Sequence, residues 1–164
     1  MEESFKWFSP LGISVALFLA IGTLWVLIGA LTVPLLGKGI GPAIIFVSNS
    51  TDEAYFGRSP SELLASDPAL SKLRTLLLTV IAGFLLLAGV LFLSVAWFGL
   101  RQGQTWALTA LSVAGILALG FWVLSLLPYA RSGIPLTIGD LPPFMWVPAL
   151  LILPAIILGW IGLR

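Results

Sequence analysis

Apolar and polar positions segregate along this chain into long blocks. Four apolar runs lie at roughly 11–36, 75–100, 106–127 and 144–162, and none contains Asp, Glu, Lys or Arg. A helix needs about 20 apolar residues to cross the hydrocarbon core of a bilayer. One charge at mid-bilayer would cost about 2.5–3.5 kcal/mol on the insertion scale, so four charge-free runs insert readily. The pattern predicts an all-α membrane protein. Its core is a bundle of four transmembrane helices forming a single four-span domain over residues 1–164. The polar segments between the runs set the topology. The turn at 101–105, RQGQT, is short and predicts that the second and third spans are antiparallel neighbours. The N-terminus, that turn and Arg164 then share one end of the bundle, and the loops at 37–74 and 128–143 share the other.

The 37–74 loop is the one polar segment long enough for structure of its own. From Ser50 to Arg74 it holds seven of the fifteen charged side chains of the protein. Most of those charges sit where helix starts need them. After the glycines and proline of GKGIGP comes a β-prone AIIFV run. In STDEAYFG, Thr51 is placed to cap a short helix with Asp52 and Glu53 at its positive end, and Gly57 is placed to stop it. In SPSELL, Ser59 is an N-cap, Pro60 the first helical residue, and Glu62 completes a capping-box spacing. Asp67 and Pro68 repeat the device. A helix that starts there runs unbroken into the second span and reaches about 50 Å by Leu100 at 1.5 Å per residue. That exceeds a hydrocarbon core of about 30 Å, so this helix projects, tilts, or does both. The loop is therefore read as a small helical extramembrane cap with solvated charges. Tyr55, Phe56, Leu63 and Leu64 give the cap an apolar side that serves as its candidate interaction face.

Composition narrows the chemistry further. The 164 residues are 59% hydrophobic, 9% charged and +1 in net charge, with no cysteine and no histidine. Soluble domains carry about 25% charged residues. A chain without Cys or His forms no disulfide, no Cys-based zinc site, no His-ligated haem and no Ser-His-Asp or Cys-His triad of its own. No cluster of four Lys or Arg marks a nucleic-acid partner or a polybasic lipid switch. Titratable groups suited to catalysis fall only at the cap, at Asp52, Glu53, Glu62 and Asp67, and across it at Arg131 and Asp140. Their spacing fits no metal site, and no enzyme activity and no metal or other cofactor are expected. No ionisable side chain lies inside a span, which disfavours ion-coupled transport.

Two side-chain classes suggest contacts. Trp7, Trp97, Trp106 and Trp160 fall near one membrane interface and Trp146 near the other, as aromatic belts do. Trp25 and Trp122 lie deeper and are the candidates for stacking against a bound molecule. Small residues recur at helix-contact spacing: Ala107, Ala110, Ala114 and Ala118; Ala155 and Gly159; Ala16 and Ala20; Gly22 and Gly29. Between membrane helices such stripes supply close backbone approach. The apolar run at 11–36 is long for a signal peptide and follows two acids and one lysine, so it is read as a genuine span. The raw count of Lys and Arg favours the loops inside, whereas their density over the very short terminus-side segments favours both termini inside and the cap outside, the orientation preferred here.

The run YFGRSPSELLASDPAL, the second span, and LRQGQTWAL resemble an uncharacterised family of small four-helix bacterial integral membrane proteins. The matching residues are Gly57, Ser59, Glu62, Leu63, Asp67 and Pro68, then Leu100, Arg101, Gly103, Trp106 and Ala107, within about a third of the chain. The resemblance implies four spans in a bacterial cytoplasmic membrane and implies no activity. Together these features predict a non-enzymatic multi-pass protein, an accessory or scaffold subunit of a membrane assembly. Its partners are the lipid bilayer and either another membrane protein or further copies of itself. The alternatives are a binder of a lipid, quinone or pigment within the bundle, and an oligomeric passive channel.

Overall fold

The computed structural model describes residues 5–37 and 44–164. Its helices are α1 (Pro10–Gly37), α2 (Asn49–Phe56), α3 (Pro60–Ser66), α4 (Pro68–Phe98), α5 (Thr105–Arg131) and α6 (Pro143–Gly162), with a 3-10 turn at Leu100–Gln102 between α4 and α5. The described residues contain no strand. Helices α1, α4, α5 and α6 are each long and apolar enough to cross a membrane. The four-span, all-helical architecture is thus as the hydropathy pattern predicts. The stretch 38–43, which holds most of the glycine-rich linker and the first residue of the AIIFV run, lies outside the described residues, as do Glu2 and Glu3.

Helix α1 is the axis of the bundle. It packs along α4 on one side and α6 on the other, and α5 leans on α6. The small residues of α1 explain how close it comes to α4. A Cβ on Gly89 would lie 2.7 Å from the Gly22 carbonyl oxygen, and one on Gly29 would lie 2.6 Å from that of Ala82. Water is absent from the hydrocarbon core, so the two helices gain by such backbone proximity and the dispersion contacts it brings. On the other flank, the buried Ser14 hydroxyl donates 2.7 Å to the Ala155 carbonyl and ties α1 to α6. A Cβ on Gly159 would lie 2.8 Å from the Ser14 oxygen. Around these approaches Phe18, Ile21, Trp25, Phe92, Leu108 and Ile152 form the buried centre.

Most other hydroxyls inside the spans bond within their own helix. Thr79, Ser94, Ser112 and Ser125 each donate to a carbonyl three or four residues back in their own helix. Only Ser14, of the serines and threonines in the spans, bonds across helices among the described residues.

The expected pairing of the second and third spans holds at the turn and is loose beyond it. The turn at 101–105 does join two antiparallel helices, yet α4 and α5 are close only near it. Ala107 there sits against Gly99, where an added Cβ would come within 2.6 Å. Beyond the turn the two helices separate, because α5 leans on α6 and α4 on α1. A tight turn fixes the ends of a hairpin and not the angle between its arms. The small-residue stripes divide accordingly. Gly22, Gly29, Ala155 and Gly159 mark true contacts, whereas Ala16, Ala20, Ala110 and Ala114 are exposed.

Both ends of the bundle assemble as the topology requires. Lys6, Arg101, Gln104 and Gly162 surround one recess at the end that carries the N-terminal segment and the turn. The cap and the 128–143 loop meet at the other end through Asp52, Tyr129, Ser48 and Asp140.

Candidate functional site

The cap grows from its sequence signals with one substitution of roles. Ser48, not Thr51, caps α2: its side chain accepts from the Thr51 amide, and its hydroxyl donates 2.9 Å to the Thr51 hydroxyl. Thr51 is instead buried in the first turn. Gly57 ends α2 in the left-handed region at φ 72°, where a glycine carries no Cβ penalty. Ser59 accepts from the Glu62 amide with Pro60 opening α3. The Asp67 carboxylate accepts from the amides of Ala69 and Leu70, with Pro68 opening α4.

Asp52 departs furthest from its expected role. It is fully buried, not a solvated first-turn charge. One carboxylate oxygen accepts from the Ile45 amide at 2.7 Å and the Phe46 amide at 2.9 Å. The other accepts from the Val47 amide at 3.3 Å and the Tyr129 hydroxyl at 3.0 Å. These are the donors that a carboxylate removed from water needs. They also explain why the β-prone run is not a strand: its amides turn inward onto one anion instead of outward to a neighbouring strand. The carbonyl of Ile44 accepts from the Arg74 guanidinium, whose charge also interacts with that of Asp52. The 44–47 segment is therefore a strap held by an anion through its N–H groups and by a cation through a carbonyl. Tyr55 stacks at 4.5 Å on Tyr129 and packs edge-on against Phe56 at 5.0 Å.

With both its oxygens occupied by amides and a phenol, Asp52 is a structural anion. Asp140 is also engaged, accepting from the Thr137 hydroxyl at 2.7 Å and amide at 3.0 Å, and from Ser48 at 3.5 Å. Glu53, Glu62 and Asp67 do not join either carboxylate. Among the described residues no group of three acidic side chains is arranged to hold a metal ion. Tyr55, Phe56, Leu63 and Leu64 lie at or near the cap surface, Tyr55 and Phe56 exposed and the leucines half-buried.

The strap reaches into the membrane-facing part of the molecule. Phe46 lines an apolar cleft of about 780 Å³ between the diverging α4 and α5. Ile81, Phe84, Leu85, Ala88 and Phe92 form its α4 wall, Ala114, Ala118, Phe121, Trp122 and Ser125 its α5 wall, and Trp25 lies at its base. A smaller hollow of about 210 Å³ between α1 and α4 shares Phe46, Ile81, Leu85 and Trp122 with it. The two deep tryptophans thus do converge on one space. Their roles differ. Trp25 is buried, packs on Phe92 at 4.8 Å, and donates its indole N–H to the Phe144 carbonyl at 3.2 Å. Trp122 is half-buried, packs on Phe144 at 5.2 Å, and stands between the cleft and the hollow.

The cleft offers a guest almost no polar handle. The Ser125 hydroxyl is spent on the Trp122 carbonyl and the Trp25 indole on Phe144. Sequence reasoning singled out Trp25 and Trp122 but missed Ser14, Tyr129 and the Arg74 contact to Ile44. The placement of these three follows from which segments meet, and no local pattern encodes that. No protein-family model, curated protein or solved structure matches this chain.

Proposed function

We propose that this protein is a non-enzymatic accessory or scaffold subunit of a membrane assembly, and that the α4–α5 cleft receives an apolar helix of its partner. The observation that carries this reading is the cleft itself: an aromatic-walled opening in the bundle whose α5 side presents Ala114 and Ala118. Only Ala107, Leu108, Leu111, Gly115 and Tyr129 of the 27 residues of α5 are buried. A helix so thinly packed has a long face to offer, and small residues on it let another backbone approach.

A quinone or pigment is the weaker reading. Pockets for such molecules combine apolar walls with a few converging polar groups that fix orientation, and here those groups are already bonded. The resemblance to small bacterial four-span proteins supports a bacterial cytoplasmic membrane as the location, and the Lys/Arg densities support termini facing the cytoplasm.

The test is isolation of the protein in native lipid discs without detergent, followed by mass spectrometry of all co-isolated proteins and small molecules. The expected result is a stoichiometric protein partner, or a second copy of the chain, that is lost when Ala114→Leu and Ala118→Leu fill the cleft. A monomer accompanied only by bulk lipid, or a partner retained by the filled variant, overturns the proposal. A single enriched quinone or pigment lost on Trp122→Ala would replace it with the ligand-binding reading.

A further inference from the structure

A second recess, of about 950 Å³, lies at the end of the bundle away from the cap. The segment before α1, the end of α4 and the 3-10 turn build it, with Lys6, Trp97, Arg101 and Gln104 among its walls. Its chemistry is the reverse of the cleft's. The Arg101 guanidinium lies 4.3 Å from the Trp97 ring centroid and 5.4 Å from that of Phe5. Trp7 braces both rings, at 5.0 Å from Phe5 and 6.3 Å from Trp97. A guanidinium lying over aromatic faces uses its π surface there and keeps its fork of N–H donors for another group. Among the described residues no acid lines the recess, and none pairs with Lys6 or Arg101.

Beside the recess lies a shallow apolar groove, lined by Leu19, Leu93 and Ser94 and sharing Trp97 and Phe98 with it. The recess is cationic and sits among the tryptophans that mark a membrane interface. The groove runs into the span region. Negative charge above and hydrocarbon below is the pattern of an anionic amphiphile. A free phosphate would satisfy the recess alone, whereas the adjoining groove suits a molecule with a tail.

We propose that this recess binds the headgroup of an anionic phospholipid, with an acyl chain in the groove between Leu19 and Phe98. Two cations do not make a polybasic patch, so the site holds a single lipid and is distinct from diffuse attraction to a charged surface. It is also separate from the α4–α5 cleft and stands whether or not that cleft binds a helix.

The test uses the full chain, with Glu2 and Glu3 in place, freed of co-purified lipid and offered equimolar phosphatidylglycerol and phosphatidylcholine of matched chains. Native mass spectrometry counts the lipids retained. One phosphatidylglycerol is expected to be retained with a preference on the order of tenfold, given the attraction of each nearby Lys or Arg for an anionic lipid. Lys6→Gln and Arg101→Gln together are expected to abolish the preference, and Arg101→Lys to keep most of it. Ser94→Leu, which fills the groove and leaves the charges intact, is expected to lower retention of both lipids and serves as the second variant if the double one fails to fold. Equal retention of the two lipids by the wild-type chain overturns the proposal. So does a preference that survives loss of both cations, or displacement of the lipid by inorganic phosphate.

Discussion

Tyr129 donates its hydroxyl to Asp52 over 3.0 Å and so joins two helices through residues that lie 77 positions apart in sequence. The phenol comes from the last turns of α5 and the carboxylate from the first turn of α2. Through this bond the cap is fastened to the helix that is otherwise least embedded in the bundle. Removing either partner should therefore loosen the same junction to different degrees. Tyr129→Phe deletes one donor to a buried charge, a loss of about 1.5–3 kcal/mol. Asp52→Ala strands three backbone amides and the Tyr129 hydroxyl, for which about 3–5 kcal/mol is expected. Glu53→Gln, one residue away and exposed, should change stability by less than about 0.5 kcal/mol. Unfolding in mixed micelles, followed by helical circular dichroism, measures this order. Equal effects of Asp52→Ala and Glu53→Gln would refute it.

The α1–α4 contact makes the positions of glycines unequal. Gly89→Ala puts a methyl 2.7 Å from the Gly22 carbonyl oxygen and 2.8 Å from the Val26 amide nitrogen. Neither is a movable side-chain end, so the helices must part, at a cost of about 1–3 kcal/mol. At Gly120 a Cβ meets nothing within 4 Å. Gly120→Ala should then be neutral, or stabilising by up to about 1 kcal/mol through helix propensity. The same micelle titration distinguishes the two, and a destabilising Gly120→Ala would show that α5 is packed more tightly than its exposed face implies.

Acid should release the link between the two loops. The Thr137 hydroxyl and amide, with Ser48 a further donor, hold the Asp140 carboxyl below its ordinary value of 3.8. A carboxyl whose folded value is depressed adds stability above its unfolded value and loses that stability as the pH falls through the folded one. The Asp140 contribution is therefore constant near neutrality and declines below about pH 4. The group is only half-buried, so solvent screening keeps the effect small. The protection of the 133–141 amides against exchange, taken relative to the intrinsic rate at each pH, should fall in the wild type as Asp140 protonates. Asp140→Asn should show the lower protection at every pH.

The protein has no cysteine, and this permits a direct test of topology. Ser50 in the cap and Gln104 in the turn are both exposed and lie at opposite ends of the bundle. Single cysteines at these sites should react with a membrane-impermeant maleimide from opposite sides of sealed vesicles. Labelling of both from one side would disprove the four-span arrangement.

The parts legible in the sequence are those governed by local chemistry. Charge-free runs gave the four spans, and Ser59–Pro60 and Asp67–Pro68 gave two helix starts to the residue. Gly22, Gly29, Ala155 and Gly159 were recognisable as contact residues by spacing. What the spacing could not tell is which small stripe has a partner, since Ala110 and Ala114 look the same as Ala155 and Gly159 until the splay of α5 is known. Asp52 was misread for a related reason. An acid in a first helical turn is usually solvated, and its burial here depends on a phenol from α5 and on a strap preceding its own helix. Neither is visible within a helix turn of Asp52.

Asp52 has one more consequence. The Ile44–Val47 segment is a run of β-prone apolar residues beside a membrane, where chains are concentrated in two dimensions. Such a run with free amides would be a ready edge for strand pairing with its copy in a neighbouring molecule. Three consecutive donors, those of Ile45, Phe46 and Val47, are spent on a single carboxylate, so the edge is closed from within. The anion that shapes the cap also insulates it, and a chain deprived of that charge should fail by self-association before it fails by unfolding.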